Sequence, residues 1–202
     1  MTALLRYLTH PEVEVDPDTP VPQWRLSAKG LARTRSLARA GWLSGTTHVI
    51  SSGEYKALEA AGILAGALSL EVQRRDSMHE NDRTSTGFLP PEEFEAVADA
   101  FFRHPRESIR GWERALDAQQ RIVHEVEAIL AQRLTGDILV VGHGAVGTLL
   151  FCHYAGLPID RAHDQPAGGG HYFSLVVEGR RVLHSWRPME TPPPPLPGGN
   201  LA

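Results

Sequence analysis

The chain has 202 residues, enough for one sizeable α/β core and short for two independent ones. Its formal net charge is -4 and it has no basic stripe, so its composition argues against a nucleic-acid partner. The single cysteine, Cys152, excludes an intramolecular disulfide framework, and no apolar run approaches the roughly 20 residues needed to cross a bilayer. Arg6 interrupts the first apolar run too early for a signal peptide, so we expect a cytoplasmic protein that does not bind membranes.

Alternating strands and helices in the first third of the chain predict a parallel sheet with helices on both faces. Residues 3–9 are typical of a short buried strand, and residues 47–51 of a second one. Ser27 can cap a first helix, and a second helix, rich in Ala and Leu, is expected over residues 53–68. This pattern predicts an α/β fold, a three-layer α/β/α sandwich with a mostly parallel sheet.

The middle of the chain breaks the alternation. Residues 72–110 hold several prolines, many charges and one short predicted helix over 91–102. We interpret this segment as an insertion that folds over one end of the sheet as a lid. Apolar residues at helical spacing then predict one long helix over residues 111–133.

The last third of the chain predicts the centre and one edge of the sheet. Residues 137–142 form a continuous apolar run, which is typical of a fully buried central strand. This strand leads through His143 directly into another helix. Residues 171–177 and 181–186 flank a Glu-Gly-Arg turn and predict a hairpin at the sheet edge.

The domain organisation follows from these elements. We expect one domain over residues 1–187, with the lid insertion inside it. The tail over residues 188–202 is rich in Pro and Gly, and we predict that it is disordered.

Polar residues follow three of the predicted buried strands. His10 comes after the first strand, and Ser52 ends the second, shortly before Lys56 on the next helix. His143 and Gly144 come after the central strand, at the start of a helix whose N–H groups favour an anion. Because ligands bind in the crevice beyond the carboxyl ends of such strands, these residues predict a phosphate site built without a metal or other cofactor.

The order of these segments resembles that of the histidine phosphatase (phosphoglycerate mutase-like) superfamily, over about residues 4 to 186. The resemblance implies a phosphoglycerate mutase-like fold. The segments that carry it are Thr9-His10-Pro11, Trp24 to Gly30, Ser51 to Ala57, Met78-His79-Glu80, Gly111-Trp112-Glu113 and Val140 to Val146.

The resemblance implies three catalytic residues. His10 would attack phosphorus and become a phosphohistidine, which requires its other ring nitrogen to be held by an acceptor such as a carbonyl. Glu80 on the lid would protonate the leaving alkoxide, with Asp82 as the second candidate for this acid. His143 would help to stabilise the transferring phosphoryl group.

The resemblance also implies a set of substrate-binding residues, and here the chain departs from the family pattern. Thr9 and Lys56 stand where the family has arginines, and a lost charged hydrogen bond costs roughly 1.5–3 kcal/mol. Arg83 could replace the missing guanidinium, or it could be a solvated partner of Asp82. Gly144 would let its backbone approach the phosphate.

The expected function is that of a metal-independent phosphatase, a histidine acid-phosphatase-type phosphoric monoester hydrolase acting on a small phosphorylated substrate. Two alternatives stay open. One is mutase-type phosphotransfer through the same intermediate, and the other is a degenerate protein that binds a phosphorylated ligand without turnover, because Thr9 replaces an arginine. A homodimer is compatible with the sequence, and the identity of the substrate is not encoded in any motif.

Overall fold

A computed structural model describes residues 3–194 of the chain. These residues form a six-stranded sheet covered by helices on both faces. The strands are β1 (Leu4–Thr9), β2 (Thr46–Ser52), β3 (Val72–Arg75), β4 (Asp137–Gly142), β5 (His171–Val176) and β6 (Arg181–Pro188). The strand order is β3-β2-β4-β1-β5-β6. The first four strands pair in parallel, whereas β5 pairs antiparallel with both β1 and β6.

The helices form the two outer layers. They are α1 (Ala28–Arg39), α2 (Tyr55–Leu68), α3 (Pro91–Arg103), α4 (Ala115–Leu130) and α5 (Gly144–Ala155). Residues of α1 and α2 pack on one face of the sheet, and residues of α3, α4 and α5 on the other. The predicted three-layer sandwich is therefore confirmed. Within residues 3–194, no helix is both long enough and apolar enough to span a membrane.

The central strand β4 explains why its sequence is apolar throughout. Ile138 and Val140 pack into the cluster beneath α3, α4 and α5, whereas Leu139 and Val141 pack into the cluster beneath α1 and α2. Because successive side chains point to opposite faces, a strand covered on both faces must be apolar at every position.

Helix ends follow the local chemistry of the chain. Ser27 caps α1 as predicted, since its side-chain oxygen accepts a hydrogen bond from the Gly30 N–H at 3.1 Å. Gly156 ends α5 with a positive φ of 67°, a conformation that glycine adopts without steric cost.

The long helix predicted from residue 111 begins later than expected. Arg110 and Gly111 both have positive φ, of 53° and 81°, and Arg114 is extended, so α4 starts only at Ala115. The apolar spacing predicted the buried face of this helix correctly but not the break in the backbone before it.

Two further segments differ from expectation. Residues 72–75, at the start of the predicted insertion, form β3 and pair in parallel with β2 at the sheet edge. Their charged residues hid the strand pattern, because an edge strand is half exposed and does not need to be apolar.

The predicted tail is ordered at its start. β6 continues to Pro188, the Met189 side chain is fully buried, and Glu190 forms an ion pair with Arg33 at 2.6 Å. Residues 188–190 therefore belong to the fold. The part of the disorder prediction that concerns residues 195–202 lies outside the described residues.

Candidate active site

The two histidines singled out in the sequence lie side by side beyond the carboxyl ends of neighbouring strands. β1 and β4 are parallel neighbours, with Thr9 opposite Gly142, so the residues that follow them emerge together. The ring centroids of His10 and His143 are 5.2 Å apart. Sheet topology therefore creates this pair from residues separated by most of the chain.

His10 is held in the orientation that a nucleophile needs. Its Nδ1 lies 2.9 Å from the Pro11 carbonyl oxygen. Burial, together with the charge of Lys56, lowers the pKa of His10 to about 4, so the ring is neutral at neutral pH. In the neutral ring Nδ1–H donates to Pro11, and the lone pair is left on Nε2.

The loop at residues 168–170 contacts the backbone carbonyl of His10. The Gly170 N–H donates to the His10 carbonyl oxygen at 3.1 Å. A Cβ on Gly169, whose φ is 64°, would lie only 2.3 Å from that same oxygen. Close backbone approach at this point requires glycine.

His143 is fully buried and also neutral. Burial lowers its pKa well below the ordinary value, and its Nε2 lies 2.6 Å from the Ser52 hydroxyl oxygen. Its Nδ1 is buried with no hydrogen-bond partner within residues 3–194. A buried ring nitrogen without a partner costs about 1–3 kcal/mol. His143 is not among the residues that line the two cavities described below.

Glu54 is a buried carboxylate at the site that the sequence analysis missed. It forms an ion pair with Lys56, whose ammonium group also donates to the Val21 carbonyl oxygen at 2.9 Å. Its other oxygen accepts from the Glu80 N–H at 2.8 Å and lies 3.6 Å from His143 Nε2. Burial raises the pKa of the Glu54 carboxyl, but the charge of Lys56 and the hydrogen bonds from Lys56 and the Glu80 N–H lower it more, so the group is ionised.

Glu80 lies at the N-terminus of α5. Its carboxyl oxygens accept from the backbone N–H groups of Val146 at 2.9 Å and Ala145 at 3.1 Å. Burial nevertheless outweighs these hydrogen bonds and raises the pKa of Glu80. A carboxyl group with a raised pKa that lines the same cavity as the neutral imidazole of His10 suits general acid catalysis.

Arg83 reaches the site over an aromatic surface. Its guanidinium carbon lies 4.9 Å from the Phe94 ring centroid and 6.0 Å from that of Trp112. Asp82, its alternative partner, is exposed and accepts hydrogen bonds from the N–H and hydroxyl of Thr84. Arg83 therefore belongs to the lining of the site.

Two adjoining cavities form the candidate active site. One, of about 420 Å³, is lined by His10, Lys56, Glu80, Arg83 and Gly144 among others. The other, of about 560 Å³, lies between the loop at residues 17–22 and the segment at residues 79–88. Glu80 and Arg83 line both cavities, so together these form one groove beside His10.

Thr9 does not reach this groove. It is fully buried, and its hydroxyl oxygen lies 2.6 Å from Gln165 Oε1 and accepts from the His171 N–H at 3.0 Å. Gln165 itself lines the cavity, and no motif in the sequence singled it out. It lies in the irregular segment between α5 and β5, where hydrophobic periodicity carries no information.

Comparison with protein families identifies the chain. The family model described as the histidine phosphatase superfamily (branch 1) matches residues 14–186. The chain belongs to this superfamily. The match begins after His10, so the Thr9-His10-Pro11 segment lies outside the matched range.

Solved structures show that this superfamily member has the phosphoglycerate mutase-like fold predicted from its sequence. A mycobacterial glucosyl-3-phosphoglycerate phosphatase, in complex with inorganic phosphate, superposes with a TM-score of 0.77 at 17% identity, covering 94% of this chain and 99% of that one. YhfR from Bacillus stearothermophilus gives 0.76 at 21% identity, with coverages of 91% and 95%. The phosphoserine phosphatase of Entamoeba histolytica, in complex with 3-phosphoglyceric acid, gives 0.73 at 16% identity, with coverages of 91% and 96%. A comparison with curated proteins gives no match.

Proposed function

We propose that this protein is a metal-independent, histidine acid-phosphatase-type phosphatase that hydrolyses a small phosphomonoester through a phosphohistidine on His10. The observation that carries the proposal is the state of His10. It is a neutral imidazole whose Nδ1–H is held by the Pro11 carbonyl oxygen, which leaves the Nε2 lone pair available for attack.

The proposed reaction has two steps. In the first, His10 Nε2 attacks phosphorus, the ester P–O bond breaks, and protonated Glu80 transfers its proton to the leaving alkoxide. In the second, the Glu80 carboxylate removes a proton from a water molecule that attacks the phosphohistidine, which releases phosphate and restores neutral His10. Lys56, Arg83 and His143 stabilise the charge on the phosphoryl oxygens.

Two further observations support this proposal. Glu80, whose pKa is raised, lines the same cavity as His10, so acid and nucleophile occupy one site. Solved structures with the same fold include phosphatases named for glucosyl-3-phosphoglycerate and for phosphoserine, both small phosphomonoesters.

The test is hydrolysis of an aryl phosphate from pH 4 to 8 with a chelator present, on wild type and on His10→Ala. We expect chelator-resistant turnover that His10→Ala abolishes, and an acid-labile phosphoenzyme after rapid quenching of the wild type. Turnover that survives in His10→Ala, or that the chelator removes, would contradict the mechanism.

One observation favours a second candidate, a protein that binds a phosphorylated ligand without turnover. The family arginine before His10 is replaced by Thr9, whose hydroxyl is engaged with Gln165 and His171 rather than with the cavity. Saturable phosphate binding without hydrolysis of any member of a broad phosphomonoester panel would support this candidate instead.

A further inference from the structure

The side chain of Gln165 has a defined orientation because of Thr9. The distance between the Thr9 hydroxyl oxygen and Gln165 Oε1 is 2.6 Å, which is typical of O–H···O bonds and short for N–H···O bonds. The same hydroxyl accepts from the His171 N–H at 3.0 Å, and its own proton has two acceptors in reach, Gln165 Oε1 and the His171 carbonyl oxygen at 3.2 Å. The much shorter contact to Gln165 assigns the proton to Gln165. The amide oxygen therefore faces Thr9, and the amide NH₂ group faces the other way.

The NH₂ group lies beside the glycine that follows His143. A Cβ added to Gly144 would be 2.8 Å from Gln165 Nε2. His10, Gly144 and Gln165 all line the same cavity, and Gln165 Nε2 has no hydrogen bond to a residue within 3–194.

The backbone beneath Gln165 is also fastened. Asp164 Oδ1 accepts from the Gln165 N–H at 2.7 Å and from the Thr148 hydroxyl of α5 at 2.7 Å. Gln165 is thus anchored to α5 through Asp164 and to β1 through Thr9. A glutamine held both at its backbone N–H and at its side-chain oxygen presents its NH₂ group at a fixed position and loses little conformational entropy when a ligand binds.

We propose that the Gln165 amide donates a hydrogen bond to the phosphoryl group of the substrate, and that Thr9 is the positioning residue that aims it. This inference rests on the proposed function. In the place of an arginine beside the nucleophile, the chain would use a neutral donor carried by a different element. The pair of Thr9 and Gln165 explains how a threonine can precede His10 while that side of the phosphoryl group still receives a hydrogen bond.

The test measures the affinity for inorganic phosphate by calorimetry, together with kcat and KM on an aryl phosphate, for the full chain. We expect Gln165→Leu to weaken phosphate binding by about 10- to 100-fold, the cost of a hydrogen bond to a charged group. Thr9→Val should weaken it less, and Thr9→Ser, which keeps the hydroxyl, should restore it. Gln132→Leu, the same change at an exposed residue just beyond the end of α4, is the matched control and should leave binding and turnover unchanged.

A double-mutant cycle separates aiming from general structural support. If Thr9 acts by aiming the amide, Thr9→Val should have no further effect on phosphate affinity once Gln165→Leu is present. If Gln165→Leu does not fold, Gln165→Glu keeps the shape and should weaken phosphate binding at least as much, because a carboxylate repels the anion. If Thr9→Val weakens phosphate binding by the same factor in the Gln165→Leu background as in wild type, the role of Thr9 is overturned.

The two proposals fail in distinguishable ways. If Gln165→Leu and Gln165→Glu bind phosphate as tightly as wild type while His10→Ala abolishes turnover, the inference about Gln165 is wrong and the phosphatase mechanism stands. If phosphate binds and depends on Gln165 but no substrate is turned over, the inference stands and the phosphatase proposal fails. A wild type that binds no phosphate overturns the inference about Gln165, and a wild type that neither binds phosphate nor hydrolyses any substrate overturns both.

Discussion

Breaking the buried Glu54–Lys56 ion pair from one side tests how the charges of the site are arranged. The side chains are 9% and 5% exposed, and each makes a further hydrogen bond to the backbone. Lys56→Met retains much of the apolar stem but leaves the Glu54 carboxylate buried without its cation.

The magnitude follows from that burial. Removing one partner of a buried pair costs about 3–5 kcal/mol, since the remaining charge is desolvated and uncompensated. The double variant Glu54→Gln/Lys56→Met removes both charges and keeps an acceptor for the Glu80 N–H, so we expect it to cost less than about 2 kcal/mol. The double variant should therefore be more stable than Lys56→Met alone.

The pH dependence gives a second readout with a definite sign. In wild type the pKa of Glu54 is lowered below its ordinary 4.5, so the pair contributes fully above that pH and the contribution is lost as pH falls. In Lys56→Met burial dominates and raises the pKa of Glu54, so the neutral form is favoured and stability is lost as pH rises. The difference in unfolding free energy between the two proteins should therefore grow from pH 4 to pH 7.

Urea unfolding monitored by tryptophan fluorescence, at pH 4 and pH 7, measures both effects. The matched control is Lys29→Met, which removes the other lysine, an exposed residue on α1. The reasoning is refuted if Lys56→Met costs no more than Lys29→Met, or if the double variant is less stable than Lys56→Met at pH 7.

Three other predictions concern catalysis and local structure. Catalysis requires His10, with a pKa of about 4, to be neutral and Glu80, with a raised pKa, to be protonated. We therefore expect kcat/KM to fall below about pH 4, as His10 is protonated, and again at higher pH, as Glu80 ionises. A fall in kcat/KM on the acid side that begins near pH 6.5 would contradict this. Gly169→Ala should displace the His10 carbonyl and lower kcat at least about tenfold. The control Gly179→Ala, also at positive φ but with open space around it, should cost about 1–2 kcal/mol of stability and leave activity unchanged. Equal activities of the two variants would show that the loop at residues 168–170 does not support His10. Ser27→Ala should lower the unfolding free energy by about 1 kcal/mol through the lost cap of α1 while turnover stays at the wild-type level, and a stability within error of wild type would mean that the cap contributes nothing.

Sequence patterns were sufficient where local chemistry decides the structure. The run at residues 137–142 had to be a strand buried on both faces, and β4 has those bounds. Ser27 marked the start of α1, and the proline at residue 91 marked the start of α3. The order of the motifs was sufficient for the family and the fold, and hence for expecting His10 and His143 at one crevice.

Tertiary structure decided the features that depend on non-local partners. β3 is recognisable only by its pairing with β2, since a half-exposed edge strand needs no apolar pattern. Backbone conformations at Arg110 and Gly111, which delay the start of α4, are likewise not encoded in helical spacing.

The chemistry of the site divides in the same way. The residue types that could carry phosphoryl transfer, His10, Glu80 and His143, are visible in the sequence because each follows a strand or lies in a motif. Two further residues of the site are not visible in the sequence, because the contacts of Glu54 with the Glu80 N–H and of Gln165 with Thr9 form only on folding. A pKa and a hydrogen-bond direction depend on burial and on neighbours distant in the chain, and these are determined by the packing of the sheet, the loops and the helix ends.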